Sequence, residues 1–310
     1  MRVIWLNGSV PAGRRVIALG TFDGVHRGHR ALLKKAQEIA REEGIPLRVF
    51  TFDRHPISVI DPGRTPGLLN TMPEKCRWLF HAGADEVAVI PFRRSMADME
   101  PVDFLKYLES CTDIHTAAAG WNYSFGRGGK GDPGLLREYG AAHGFGTIVF
   151  PPVTMPDGRT VSSSEIRKSL TEGRLDDALE MLGHELTFTG KVTGGKHMGH
   201  ELGFPTANIK VPECRQLPKY GVYVCRVETA GEAWPGVVNI GIQPTLPSGQ
   251  VTVEAHLLSG HPDLYGTTVR LSLLSFIREE RKFSGSGELR ERIALDRDEA
   301  EKWFKNGKDG

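Results

Sequence analysis

At Leu186 the hydrophobic repeat of the chain changes its period. Upstream, apolar residues recur at helical spacing between short apolar runs, whereas from Leu186 onward Leu186, Phe188 and Val192 alternate with Thr187, Thr189 and Lys191. A period of two suits a half-buried strand and a period of 3.6 a helix, so one layer architecture cannot absorb both halves. A chain of 310 residues also exceeds one ordinary compact core. Two domains are expected, 1–184 and 185–310.

In the first half, Val16 to Leu19, Leu47 to Phe52, Glu86 to Ile90, Thr116 to Ala119 and Thr147 to Phe150 read as strands. Helical patterns separate them. Leu32, Ala36, Ile39 and Ala40 share one face; Thr71 with Glu74 forms a capping box ahead of Cys76, Trp78, Leu79 and Phe80, with Gly83 placed to end that helix. Val102 to Leu108 and Leu135 to His143 supply two more. A second capping box, Ser162 with Glu165, starts a helix carrying Ile166 and Leu170 on one side and Arg167 on another, and Gly183 closes the helical run after Leu182. Strands alternating with helices predict an α/β fold of Rossmann-like type, a parallel sheet covered on both faces with ligands at the carboxyl ends of its strands.

The second half reads as antiparallel β. Leu186 to Val192, Gly221 to Val227, Trp234 to Ile240, Val251 to Leu258 and Val269 to Phe276 are strand candidates between Gly/Pro-rich turns, a pattern that fits a small closed barrel or a sandwich. Leu289, Ile293, Ala300, Trp303 and Phe304 then share one face of a C-terminal helix that packs onto it.

Thirty-nine basic residues against 38 acidic ones leave a formal charge of +1, so no global field recruits nucleic acid or an anionic membrane. Small-molecule partners are expected. Cys76, Cys111, Cys214 and Cys225 lack any C-x-x-C spacing, which argues against a zinc knuckle, a redox motif and a disulfide framework. No stretch approaches the ~20 apolar residues of a membrane span, and the N-terminus lacks a long apolar run. A cytoplasmic protein is expected; oligomeric state is not legible.

Between the first strand and the first helix lies Gly20-Thr-Phe-Asp-Gly-Val-His-Arg-Gly-His29. A strand that turns through three glycines into a helix gathers backbone N–H groups and a positive dipole end at one point, which suits a phosphate. Gly20, Asp23 and Gly28 are candidate ATP- and phosphate-binding residues of this turn, and His26 and His29 add imidazole donors. Nucleotidyl transfer needs in-line positioning and charge neutralisation and no protein nucleophile, so this set is sufficient in kind. Taken alone, H-x-G-H is equally a surface turn or part of a metal site.

Three later segments narrow this: Thr51-Phe-Asp-Arg-His-Pro56, Gly120-Trp-Asn-Tyr-Ser-Phe-Gly126 and Val161-Ser-Ser-Ser-Glu-Ile-Arg167. With the turn they resemble, in order and over residues 15 to 183, the adenylyltransferase module of the prokaryotic bifunctional riboflavin kinase/FAD synthetases. The resemblance implies that His26 and His29 hold the ATP phosphates and stabilise the transition state. It also implies that Asn122 meets the phosphate or Mg²⁺ end of the substrates and that Ser162 and Arg167 form a second phosphate-binding segment. Arg167 is open between that role and a surface salt bridge, Asp23 between facing the metal and capping the turn, and His55 between substrate contact and a loop role.

In the second half, Gly190 to Asn208 is the most unusual run. Gly195 and Gly199 belong to a glycine-rich loop that could cradle phosphate or simply connect a hairpin, and the hydroxyl of Thr206 beside the carbonyl of Asn208 offers hard oxygen ligands. Gly203-Phe-Pro-Thr-Ala-Asn208, Tyr220-Gly-Val-Tyr223, Val238-Asn-Ile-Gly241 with Pro244-Thr245, and Val253-Glu-Ala-His-Leu257 resemble the riboflavin kinase barrel. Alternation puts Glu254 with Thr252 and His256, opposite Val251, Val253, Ala255 and Leu257. The resemblance implies that Glu254 is the general base on the ribityl 5′-hydroxyl and that Thr206 and Asn208 hold Mg²⁺. His200 stands where the family commonly carries arginine, Gln243 replaces an arginine before Pro-Thr, and Ser259-Gly260 replaces Asp-Phe; Lys196 is the candidate substitute cation. The expected activity is ATP-dependent conversion of riboflavin to FMN and of FMN to FAD. The alternatives are an adenylyltransferase with a weak kinase half and a non-catalytic flavin-binding regulator on the same fold.

Overall fold

The structure, a computed structural model, describes residues 1–6, 13–194, 206–229, 231–242, 251–260, 262–281 and 283–307. It divides into two units, Met1–Glu165 and Ile166–Gly310.

Six parallel strands form the sheet of the first unit: β1 (Arg2–Trp5), β2 (Arg14–Leu19), β3 (Leu47–Phe52), β4 (Glu86–Ile90), β5 (Asp113–Gly120) and β6 (Gly146–Phe150). Their spatial order is β1-β4-β3-β2-β5-β6. The chain therefore builds outward from β2 to β3 and β4, then crosses back to lay β5 and β6 on the other side. The order reverses beside β2, and a crevice opens at the carboxyl end of strands at such a reversal. Gly20 leaves β2 at that end, with Leu19 in register with Phe50 on one side and Ala119 on the other.

The helices are α1 (Arg27–Glu42), α2 (Ile57–Ile60), α3 (Met72–His81), α4 (Arg94–Ala97), α5 (Pro101–Cys111) and α6 (Pro133–His143). Alternation along β2 sends Val16 and Ala18 to a core with Leu33 and Ala36 of α1 and Leu79 of α3. Ile17 and Leu19 go to a second core with Phe104, Leu105 and Leu108 of α5 and Leu136 of α6. Each fully buried aliphatic side chain contributes about 1.5–3 kcal/mol, and the sheet is clamped from both faces. At the amino end of the sheet, Glu86 accepts at 2.8 Å from Nε of both Arg15 and Arg48, and Arg48, fully buried, also donates to the Cys111 carbonyl at 3.1 Å. Strand β1 has no counterpart in the sequence reading, because it is a four-residue edge strand that buries only Ile4.

Helix α7 (Ser163–Thr171) spans the division between the units, and α8 (Leu175–Leu182) ends at Gly183, whose φ of 68° is the left-handed cap expected of glycine. The β region resolves as a closed barrel rather than a sandwich. Its strands are β7 (Leu186–Thr193), β8 (Thr206–Lys210), β9 (Gly221–Thr229), β10 (Glu232–Ile242), β11 (Val251–Leu257) and β12 (Thr268–Glu279), ordered β10-β11-β8-β7-β12-β9 with every pairing antiparallel. Closure removes unpaired edges. Helix α9 (Ser286–Lys305) lays Ala300, Trp303 and Phe304 against Val222, Val224 and Val237 on the outside of the barrel. Asp296, buried on α9, takes Arg278 of β12 at 2.7 Å and Arg292 at 2.9 Å.

Candidate functional site

The turn after β2 is tightly determined. Phe22 and Val25, both buried, take φ values of 48° and 40°, a region non-glycine residues avoid and a β-branched residue especially. Gly24, at φ 83°, supplies the remaining left-handed step. Asp23 is buried, and its carboxylate accepts the N–H groups of Leu69 at 3.1 Å and Asn70 at 3.3 Å, tying the turn to the segment before α3. The Ser163 hydroxyl donates to the Asp23 carbonyl at 2.8 Å, so the start of α7 is held on the same turn.

His26 is the N-cap of α1 and its Nδ1 accepts the His29 N–H at 3.4 Å. In the neutral ring that puts the proton on Nε2, which becomes a donor. The two imidazoles stack with centroids 3.6 Å apart and planes 17° from parallel, and Phe22 meets His29 edge-on at 5.1 Å. A Cβ on Gly28 would lie 3.3 Å from the His26 ring, which is why the residue between the histidines and next to His29 has no side chain. Burial holds the His29 imidazole well below the usual histidine range, and the charges of His26 and Lys75 push it the same way. Neutral His29 keeps a buried Nδ1 with no hydrogen-bond partner among the described residues. The paired imidazoles of His26 and His29 at a helix N-terminus form a site suited to an anion.

Lys75 has no place in the sequence reading. It lies on α3 four residues before Leu79 and is buried with it; a lysine interrupting that apolar stripe was the available signal. Its Nζ donates to the Thr21 carbonyl at 2.9 Å and reaches the Thr51 hydroxyl at 3.5 Å.

Asn122 is exposed, two residues beyond Gly120 at the carboxyl end of β5, the strand next to β2. The capping reading of Ser162 holds, its hydroxyl accepting the Glu165 N–H at 3.2 Å. Arg167 is half-buried on α7 within the second unit. His55 is half-buried and its Nδ1 accepts the Ile57 N–H at 3.3 Å.

In the barrel, the register builds a row across three strands: Asn239 of β10 stands opposite Glu254 of β11, and Glu254 opposite Asn208 of β8. Thr206 stands opposite His256 in the next same-face pair. Directly opposed residues share a face with Cβ atoms about 4.5–5.5 Å apart. Thr206, Asn208, Asn239 and Glu254 are each half-buried, while Val253 and Ala255 point to the interior, so the face assigned to Glu254 by alternation is the one observed. Strand β8, which carries Thr206 and Asn208, has no counterpart among the expected strands, and Asn239 enters the sequence reading only within the Val238–Gly241 motif. Gly195, Lys196, Gly199, His200 and Gln243 lie outside the described residues. Among the described residues no group of three or more His, Cys, Asp or Glu could hold a metal. The neutral oxygen donors of Thr206 and Asn208 fit a hard cation such as Mg²⁺ that completes its shell with phosphate and water.

Residues 11–165 match the family model described as FAD synthetase, and residues 182–304 the one described as riboflavin kinase. The chain is 37% identical over 292 residues to a bifunctional riboflavin kinase/FMN adenylyltransferase of Escherichia coli K12, covering 93% of this chain and 92% of that one. It is 33% identical to the proteins of the same name from Listeria monocytogenes and Bacillus subtilis, over 94% of its length and 92% and 93% of theirs. A crystal structure described as a macrolide-efflux protein from Streptococcus pneumoniae matches with a TM-score of 0.88 at 26% identity, covering 97% of this chain and 99% of that one. No described helix of the present chain is long and apolar enough to cross a membrane. With two family models falling one on each architecture and full-length relatives of a single name, the chain belongs to the bifunctional riboflavin kinase/FMN adenylyltransferase family.

Proposed function

We propose that the chain phosphorylates riboflavin to FMN in its barrel half, 185–310, and adenylates FMN to FAD with release of pyrophosphate in its sheet half, 1–184. The observation that carries this is the pairing in one chain of the two family matches, each over a unit with its own polar constellation.

For FAD formation, a phosphate oxygen of FMN attacks the α-phosphorus of ATP and the bond to the bridging oxygen of pyrophosphate breaks. His26, through Nε2–H, and neutral His29 donate to the phosphate oxygens, with the N-terminal amides of α1 beside them. Asp23 serves by bracing the turn, Gly20 and Gly28 by letting it close. Asn122, Ser162 and Arg167 bind the remaining phosphate charge. For FMN formation, Glu254 takes the proton of the ribityl 5′-hydroxyl as that oxygen attacks the γ-phosphorus of ATP, and the bond from that phosphorus to the β,γ-bridging oxygen breaks to release ADP. Thr206 and Asn208 would hold Mg²⁺, which would neutralise phosphate charge, and Gly195 and Gly199 are the phosphate-binding glycines proposed for this half. Asn239 stands in register with Glu254 and shares its face. The protein acts on small molecules in the cytoplasm, where its four free cysteines stay reduced.

Incubation with riboflavin, ATP and Mg²⁺ is expected to yield FMN and then FAD, resolved by chromatography. No product from either flavin would overturn the assignment. The departures at His200, Gln243 and Ser259 favour one second reading, a slow kinase half; FAD forming only when FMN is supplied would select it.

A further inference from the structure

Thr21 lies between Gly20, where β2 ends, and Phe22, whose ring meets His29. Its carbonyl oxygen receives two buried side chains from two different elements: Thr51 Oγ1 at the end of β3, at 3.0 Å, and Lys75 Nζ of α3, at 2.9 Å. The donors are themselves 3.5 Å apart, which closes a triangle, and their residues are 1% and 7% exposed. No carboxylate among the described residues makes ion-pair contact with Lys75; Asp23 and Asp53 favour its charge only from a greater distance, and burial lowers its pKa despite them. An ammonium buried against a carbonyl and a hydroxyl is costly, and an apolar side chain would fill the space at less cost. What the lysine adds is a fixed carbonyl at the root of the phosphate turn and a positive charge beside it. The turn needs fixing, because Phe22 and Val25 occupy backbone conformations they would leave if released.

We infer that Lys75 and Thr51 form a clamp on the Thr21 carbonyl and are positioning residues for adenylyl transfer, setting the placement of His26 and His29. The clamp acts through the histidines. Its charge also bears on His29, whose other charged neighbour is the stacked His26.

The test uses the full-length chain and the variants K75M, K75R and T51V. FAD formation from FMN and ATP is measured as kcat and KM across pH, FMN formation from riboflavin in the same preparations, and thermal unfolding of each. The expected result is a kcat for FAD formation about a hundredfold lower in K75M, the scale of an ångström-sized misplacement, with KM for ATP little changed. K75R recovers part of the loss, and T51V loses several-fold. K75M moves the acid limb of FAD formation to higher pH and K75R does not, a difference that a merely structural lysine would not produce. FMN formation stays at the wild-type rate in all three. Wild-type kcat in K75M or in T51V overturns the clamp, as does a parallel fall of both activities with loss of thermal stability in K75M alone. If K75M does not fold, T51V, which preserves shape, decides. The inference rests on adenylyl transfer at this turn: a wild-type chain that makes no FAD defeats that reading, whereas FAD formation indifferent to the variants defeats only the clamp.

Discussion

The two constellations of this chain are held by different means. At the carboxyl end of the sheet, Asp23, His26 and Lys75 are buried, and the turn that carries Asp23 and His26 bends through unfavourable φ values at Phe22 and Val25. On the barrel, Thr206, Asn208, Asn239 and Glu254 are half-buried on regular strands, aligned by ladder register. The first site is a position that many buried contacts maintain; the second is a set of groups displayed on a rigid lattice. Substitution in the first is therefore expected to misplace donors, and in the second to delete chemistry.

The largest effect expected is at the barrel. Glu254→Gln keeps shape and register but removes the base, so FMN formation falls by about 10²–10⁴-fold, while FAD formation from supplied FMN is unchanged. A comparable fall in both would break the comparison at once. Next comes Glu86→Ala, which leaves Arg15 and Arg48 without their shared carboxylate at the amino end of the sheet. A loss of about 3–5 kcal/mol is expected, read by denaturant unfolding, with FAD formation failing at lower denaturant than FMN formation. Coincident loss would mean that the halves are not separately supported.

Gly28→Ala sharpens the positional side of the contrast. Its Cβ at 3.3 Å from the His26 ring forces a shift of a few tenths of an ångström, and kcat for FAD formation is expected to fall about tenfold, less than for an ångström-sized misplacement. A wild-type rate would mean that the imidazole stack tolerates displacement. The mildest effect concerns pH. His29 is held neutral below the ordinary histidine value of 6.5, and its functional form is lost only as pH falls through that lowered pKa. FAD formation should therefore stay level from neutral pH to below 6.5, and an acid limb centred at 6.5 or above would contradict this assignment.

Much of this was legible before the fold. Strands β3 and β4 begin and end where their apolar runs do, the turn after β2 announced itself by glycine and histidine spacing, and alternation alone assigned the face of Glu254. What escaped shares a physical cause, dependence on partners distant in sequence. Strand β8 buries fully only Ile209, so its short pattern carries little period, and it becomes a strand because β7 and β11 flank it. The Asn239–Glu254–Asn208 row exists only once the barrel closes in one register. Lys75 and Asp296 have no place in the sequence reading, because their partners, Thr21 and Thr51 for the first and Arg278 for the second, lie far away in the chain.

The central claim is that one chain holds two separable sites, and His29→Ala tests it most directly. Supplied with riboflavin, ATP and Mg²⁺, this variant should accumulate FMN at the wild-type rate and stop there, with FAD formation reduced by about 10²–10³-fold. Undiminished FAD, or the loss of FMN together with FAD in a variant that still folds, would contradict it.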